Sequence, residues 1–241
     1  WSLVGSAASA AGMAFGGWAL ARELSPDDEI GAFLSMGAAL GASLASGDTS
    51  VLFVITTLML VRIVNRTVGL PARVTDSIAV LLLTAWCTVS TGSVLPAVLA
   101  SLAFGLDATL APALRRQWMF AAISMMIVVF YLATHRPWLV DSFTFNPILG
   151  WAELIIGVGF AAVILKTNGF ISLSDATKRP LESARIKAGT ALGLIAATGG
   201  VLVVSHTANL ALPLWGILLG VMLGRVLVAR TVTREVTWDQ R

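Results

Sequence analysis

Residues 117–134 read QWMFAAISMMIVVFYLAT, eighteen consecutive residues without a formal charge. At 1.5 Å per residue, an α-helix of this length spans about 27 Å, close to the hydrocarbon thickness of a bilayer. Across all 241 residues, 57% are hydrophobic and only 12% are charged. A soluble domain has about 25% charged residues, so this chain has too few to cover a water-facing surface. The composition excludes soluble enzymes, coiled coils and disordered proteins, and it predicts an all-α, polytopic transmembrane helix bundle.

Apolar runs of similar length define about nine spans within one integral-membrane domain, residues 1–241. The approximate bounds are 1–21, 27–46, 50–65, 75–91, 94–111, 117–134, 147–166, 187–205 and 211–230. Two of these runs are short, and merging short helices leaves a seven-span alternative. The chain begins at Trp1 rather than Met, and one preceding helix would give ten spans.

The basic residues predict the orientation, because cytoplasmic loops carry the excess of Lys and Arg. With the N-terminus outside and the C-terminus inside, only Arg136 of the sixteen basic residues falls outside. The longest cytoplasmic loop is then 167–187, in which Ser174 and Asp175 are expected to cap a short surface helix. The arginines far outnumber the lysines, which is typical of a GC-rich genome. We therefore expect a prokaryotic protein of the plasma membrane.

Two helix starts are predicted from capping patterns. Ser25 precedes Pro26 and two acidic residues, which is typical of an N-cap followed by a first helical turn. Thr75 and Asp76 are expected to cap the next helix after a turn at Gly69.

Small residues spaced four apart are the strongest pattern in the chain. The last span carries Gly216, Gly220 and Gly224, and the second carries Gly37 and Gly41. Residues four apart share one helix face, and small ones allow two helix backbones to approach closely in lipid. These glycine-zipper faces pack either within the chain or against another copy or a partner membrane subunit.

Glu153 is the acidic residue placed deepest in a predicted span. Gly150 and Gly157 flank it on one face, which predicts that its side chain points towards other helices. Its candidate partners are His206, His135 and Arg136. Charges inside a membrane are costly and often functional, so Glu153 is a candidate proton- or cation-binding group of a transporter. The alternatives are a satisfied carboxyl that fixes packing and a catalytic acid.

A second candidate set lies near the cytoplasmic ends of the spans. We expect Asp107 to have a similar depth to Arg62 and Arg225, so that it can pair with either of them. Such a pair would form an inner gate or a site for an anionic solute. In the alternative interpretation, the side chains of Arg62 and Arg225 extend to the inner lipid headgroups and Asp107 reaches interfacial water. Arg62 and Arg66 also lie four apart and can hold a lipid phosphate, which makes membrane lipids expected partners.

Residues typical of other site classes are sparse. The single cysteine, Cys87, excludes an internal disulfide, and two histidines are too few for a dedicated transition-metal site. The sequence has no nucleotide-binding glycine motif and no metalloprotease motif, and its net charge of +3 does not indicate nucleic-acid binding. We therefore expect no cofactor. Trp86 lies deep in a span and is expected in the core.

Three functions remain open. The first is a transporter or permease, with ion- or proton-coupled movement of a small solute past Glu153 or Asp107. The second is a non-catalytic structural or assembly subunit of a larger membrane complex. The third is a lipid-modifying membrane enzyme, for which no convergent set of polar side chains is apparent.

Overall fold

The computed structural model describes residues 2–46, 51–135, 147–167, 169–203 and 208–238. These residues form nine α-helices, and the only β-type contact among them is an isolated antiparallel bridge between Leu173 and Pro180. The helices are α1 (Ser2–Leu24), α2 (Glu29–Ser46), α3 (Val51–Asn65), α4 (Val74–Thr91), α5 (Leu95–Thr109), α6 (Gln117–His135), α7 (Pro147–Lys166), α8 (Ser183–Val203) and α9 (Ala208–Trp238). The all-α prediction is confirmed.

Four helical segments have the length and apolarity of membrane spans. They are Leu3–Leu24, Val74–Thr91, Gln117–His135 and Leu210–Val228. Much of their apolar surface faces outwards: Leu82, Met126 and Phe130 are each about two-thirds exposed. The prediction that Trp86 lies in the core is wrong, because its side chain is 63% exposed. Depth along an apolar helix does not reveal which face packs, since lipid tails are as apolar as a protein core.

Helix α3 lies at the centre of the bundle, in contact with α1, α4, α5, α8 and α9. Its burial explains its sequence, VLFVITTLMLVRIVN, which is apolar on almost every face until Arg62. The two hydroxyls in its middle, Thr56 and Thr57, donate to the carbonyl oxygens of Leu52 and Phe53 in the preceding turn. Both side chains therefore remain satisfied in an apolar environment.

The most extensive helix pair is α2 with α9, and glycines make it possible. A Cβ added to Gly220 would lie 2.4 Å from the backbone nitrogen of Ser35, and one added to Gly224 would lie 2.3 Å from the Cα of Gly31. Gly216 similarly approaches the backbone of α2. The α9 glycine face is therefore covered by α2 of the same chain. Gly37 and Gly41 lie elsewhere on α2, with open space around them.

One capping prediction is wrong in position, and the other is confirmed for Asp76 but not for Thr75. Helix α2 begins after Asp28, whose carboxylate accepts the backbone N–H of Gly31 at 2.8 Å, so Asp28 is the cap rather than Ser25. Helix α4 begins one residue earlier than predicted, and the Asp76 carboxylate accepts the backbone N–H of Arg73 at 2.8 Å. In both cases a carboxylate satisfies an N–H that the first helical turn leaves free.

The loop before α8 also differs from its prediction. Residues 175–177 form a turn between Leu173 and Pro180 rather than a short surface helix. The backbone N–H groups of Asp175 and Ala176 donate to the carbonyl oxygens of Thr67 and Val68. These hydrogen bonds to the α3–α4 loop satisfy backbone N–H groups that would otherwise need partners within a helix.

Polar contacts gather at one end of the bundle, where the C-terminal ends of α1, α3, α5 and α7 meet the N-terminal ends of α2, α4, α6 and α8. We call this the basic end. The side chains of Ser77 and Gln117 join α4 to α6 there, and Asp27 accepts the backbone N–H groups of Ile171 and Ser172. The chain therefore passes alternately up and down through its described helices.

Candidate functional site

A buried ion-pair cluster lies at the basic end, centred on Asp107 in the last turn of α5. Its side chain is completely buried. Asp107 Oδ1 lies 2.7 Å from Arg185 Nη1 and 2.7 Å from Arg66 Nη2. The three charged groups come from α5, from the start of α8 and from the residue after α3. The predicted pairing of Asp107 with Arg62 or Arg225 is therefore wrong.

All five N–H groups of the Arg185 side chain donate hydrogen bonds. A guanidinium carries five N–H groups, and Arg185 makes five hydrogen bonds with good geometry. Its acceptors are Ala111 O (3.1 Å), Val64 O (2.9 Å), Asp107 Oδ1 (2.7 Å), Leu110 O (2.6 Å) and Pro112 O (3.0 Å). These backbone oxygens lie at and just beyond the C-terminal ends of α3 and α5, where carbonyl groups lack partners within the helix. Arg185 thus joins three helices by neutralising and capping their ends.

Arg66 completes the cluster from the opposite side. It donates through Nε to Asp107 Oδ1 at 2.8 Å and through Nη1 to Pro112 O at 3.0 Å. Its backbone has φ +50°, a left-handed conformation that non-glycine residues rarely adopt. Burial lowers the pKa of Arg66, and the neighbouring Asp107 carboxylate opposes that shift. The hydrogen bonds from the Arg66 side chain to Asp107 and Pro112 stabilise this strained backbone conformation.

The charges of the cluster are unevenly distributed. Asp107 uses one oxygen for both arginines, and its other oxygen, Oδ2, is buried without a hydrogen-bond partner among the described residues. Two guanidinium groups also face a single carboxylate. A buried carboxylate oxygen without a hydrogen-bond partner is unusual in a folded protein.

A cavity of about 350 Å³ opens beside the cluster, between the α3–α4 loop, residues 112–114 and the loop before α8. Arg66, Arg179 and Arg185 contribute to its lining, and Glu182 lies at its edge. Gly69, at φ +88°, lets the two loops meet, because a Cβ there would lie 2.4 Å from the Thr177 hydroxyl. The cluster therefore separates an accessible cavity from the helix core.

The two arginines predicted to pair with Asp107 have other partners. Arg62 Nε lies 3.2 Å from Glu23 Oε1, on the neighbouring α1. Arg225 donates through Nε to the Ser25 hydroxyl at 3.2 Å and also to the Thr167 hydroxyl. Each of them ties helix ends together at the basic end, as Arg185 does on the other side of α3.

Asp27 anchors the loop before α8 to the α1–α2 turn. Partial burial alone would raise its pKa. The hydrogen bonds from the Ser172 side chain and from the backbone N–H groups of Ile171 and Ser172 outweigh that effect, so the net pKa lies below the ordinary value. The ionised form of Asp27 is therefore stabilised by the folded loop.

Glu153 lies apart from this cluster, on α7. Its side chain is half-buried, and it has no hydrogen bond or ion pair with another described residue. A Cβ added to Gly157, one turn further, would lie 3.5 Å from the Trp215 ring of α9. Of its predicted partners, His206 and Arg136 lie outside the described residues, and His135 stacks on Tyr131.

The sequence carries a signal for Arg185 that the span prediction did not use. Because α8 begins at Ser183 rather than at residue 187, Arg185 lies in its first turn. A cation there opposes the helix dipole, which favours anions at a helix N-terminus. Such a residue needs an acceptor elsewhere, and Asp107 is a deep acidic residue at the same end.

Within the described residues, no group of three or more His, Cys, Asp or Glu side chains is arranged to hold a metal ion. Comparisons of the chain with protein-family models, curated proteins and solved structures gave no match.

Proposed function

We propose that the chain is a multi-pass membrane protein of the plasma membrane, with nine spans and the basic end in the cytoplasm. The four long apolar segments and their exposed apolar side chains support insertion. The basic end carries Arg62, Arg66, Arg116, Arg185 and Arg225, the distribution expected of a cytoplasmic surface. The N-terminus then lies outside and the C-terminus inside.

The activity we propose for it is transport of a small solute, with the Asp107 cluster as the cytoplasmic gate. The observation that carries this proposal is Asp107 itself, a buried carboxylate that holds Arg66 and Arg185 through one oxygen and leaves Oδ2 free. Loss of these two ion pairs would weaken the contact between α5, the start of α8 and the end of α3. Helices α3, α5 and α8 would then separate at the cavity and admit the solute.

Glu153 is the second group in this proposal, as the proton- or cation-binding residue nearer the opposite side. A carboxyl on an apolar helix without a described partner suits this role. Carbodiimide labelling tests it: an apolar carbodiimide should modify Glu153, as detected by peptide mass spectrometry. A complete lack of modification in folded protein would contradict the role.

Cysteine accessibility tests the gate without knowledge of the solute. Ala103 is completely buried and lies one turn before Asp107 on α5. In a Cys87→Ser background, we expect Asp107→Asn to raise the labelling rate of Ala103→Cys by an impermeant thiol reagent on the cytoplasmic side. The expected increase is about tenfold or more, because the loss of the charge removes both ion pairs of the cluster. Glu182→Gln is the matched control, because it changes an exposed carboxyl beside the same cavity.

General loosening of the fold is measured separately. The native Cys87 is completely buried, so its labelling in the Asp107→Asn chain reports unfolding rather than gating. Labelling of Ala103→Cys without labelling of Cys87 supports the gate. Unchanged labelling of Ala103→Cys, or equal increases at both positions, would contradict the gate and indicate that the cluster only stabilises the fold.

One observation favours the second candidate, a subunit of a larger membrane complex. Gly37 and Gly41 face open space on α2, next to exposed large side chains such as Phe33 and Leu44. Small residues on an open face allow close approach of another helix. Cross-linking of Gly41→Cys chains in native membranes tests this candidate, because a packed seam gives one discrete product and free lipid exposure gives none.

A further inference from the structure

A second cavity at the basic end lies between α3 and α4, on the opposite side of Arg66 from the cavity described above. It has a volume of about 430 Å³. Its walls are apolar, with Met59 and Ile63 from α3 and Val80 from α4. The exposed side chains of Arg62 and Arg73 lie at its mouth, and the nearly buried Arg66 contributes to its lining. The cavity therefore changes from charged to apolar over one to two helical turns.

The arginines at the mouth retain donors for a ligand. Arg62 contacts Glu23 through Nε, and its side chain is 43% exposed. The guanidinium of Arg73 is exposed and has no hydrogen bond or ion pair with another described residue. The one carboxylate among the described lining residues, Asp76, already accepts the backbone N–H of Arg73. The mouth of the cavity carries an excess of positive charge.

The surface beside the cavity is apolar as well. Val74 and Ile78 on the first turns of α4 and Leu70 in the preceding loop are each about half-exposed. A soluble anion would contact only the arginines, whereas an amphiphilic molecule would also contact the apolar walls of the cavity and this adjoining apolar surface. Arginine binds phosphate through two parallel N–H groups, which suits it to a phospholipid headgroup at the membrane interface.

We propose that this α3–α4 cavity binds one anionic phospholipid. The phosphate lies at Arg62 and Arg73, and an acyl chain follows Met59, Ile63 and Val80 towards the bilayer centre. The proposal rests on the membrane insertion proposed above, but it concerns a site separate from the gate.

Native mass spectrometry of the purified full chain tests the site, with phosphatidylglycerol, phosphatidylcholine of the same acyl chains, and inorganic phosphate as probes. We expect one phosphatidylglycerol per chain, bound about tenfold more tightly than phosphatidylcholine, and no displacement by millimolar inorganic phosphate. Arg73→Gln should weaken the binding of phosphatidylglycerol about three- to tenfold, the loss expected for one partly exposed charge-assisted contact. Arg179→Gln is the matched control, since Arg179 is also exposed at the basic end but lines the other cavity.

Three results would overturn the proposal. Equal retention of the two lipids would show that the headgroup charge is not recognised. Equal effects of Arg73→Gln and Arg179→Gln would show attraction to the whole basic end rather than binding in the cavity. Displacement of the lipid by inorganic phosphate would assign the arginines to free phosphate. Alkaline carbonate extraction of the same membranes tests insertion separately, so a failed lipid site and a failed membrane assignment give different results.

Discussion

At the scale of single residues, Arg185 shows how a polar group remains stable at the end of an apolar bundle. All five of its N–H groups are used, four of them on backbone oxygens at the ends of α3 and α5. Lysine has three donors and cannot reproduce this planar arrangement. The residue thus fixes where three helices end relative to one another.

Replacing Arg185 with lysine should therefore destabilise the protein although the charge is kept. We expect a loss of about 2–4 kcal/mol in the free energy of unfolding, because at least two buried carbonyl groups lose their donors. Unfolding by SDS from mixed micelles measures it. Arg179→Lys, at an exposed position beside the same cavity, should change stability by less than about 0.5 kcal/mol. Equal effects of the two variants would contradict the capping role of Arg185.

Asp27 provides a prediction about pH at the same scale. The hydrogen bonds of the folded loop hold its pKa below the ordinary value of 3.8. Its contribution to loop docking is therefore fully present above that value and is lost as the pH falls through the lower, folded pKa. The amide chemical shift of Ser172, followed by NMR in micelles, should titrate with a midpoint below 3.8.

The Asp27→Asn variant is the control for this titration. Its Ser172 amide should show no transition in the same range, because the amide side chain of asparagine does not ionise. A midpoint above the ordinary aspartate value in the unaltered chain would contradict the docking of the loop on Asp27.

At the scale of helices, the α2–α9 pair depends on glycines for backbone contact rather than for flexibility. Gly220→Ala should cost about 1–3 kcal/mol, because the new Cβ would lie 2.4 Å from the backbone nitrogen of Ser35 and the helices must move apart. Gly37→Ala is the matched control on the open face of α2. It should be neutral or stabilise the helix by up to about 1 kcal/mol. SDS unfolding distinguishes the two, and a loss from Gly37→Ala equal to that from Gly220→Ala would contradict this packing.

Helix positions follow from the sequence far better than helix partners do. The apolar run of α3 gave its bounds to within one residue, because length and apolarity alone determine a helix in this composition. Apolar patterning does not indicate which face packs, and Trp86 was therefore misplaced. The cluster was missed because the predicted start of α8 left Arg185 in a loop. Pairing of α3, α5 and α8 brings together residues 41 and 78 positions away from Asp107, and no local pattern encodes that contact.

In the molecule as a whole, the described ion pairs lie at one end of the bundle, and exposed apolar side chains surround the rest of it. Arg62, Arg66, Arg185 and Arg225 each join helix ends that are far apart in sequence. Such networks are costly to desolvate unless every charge has a partner or reaches an aqueous surface. The proposed orientation places this end at the cytoplasmic surface, together with the proposed gate and the proposed lipid site.

Topology labelling tests whether the bundle crosses the membrane with its basic end on the cytoplasmic side. In a Cys87→Ser background, cysteine is placed at Ala176, exposed at the basic end, or at Ser90, exposed near the opposite end of α4. An impermeant maleimide should label Ala176→Cys only in inside-out vesicles and Ser90→Cys only in right-side-out vesicles. Labelling of both positions from the same side, or of each from both sides, would contradict the account.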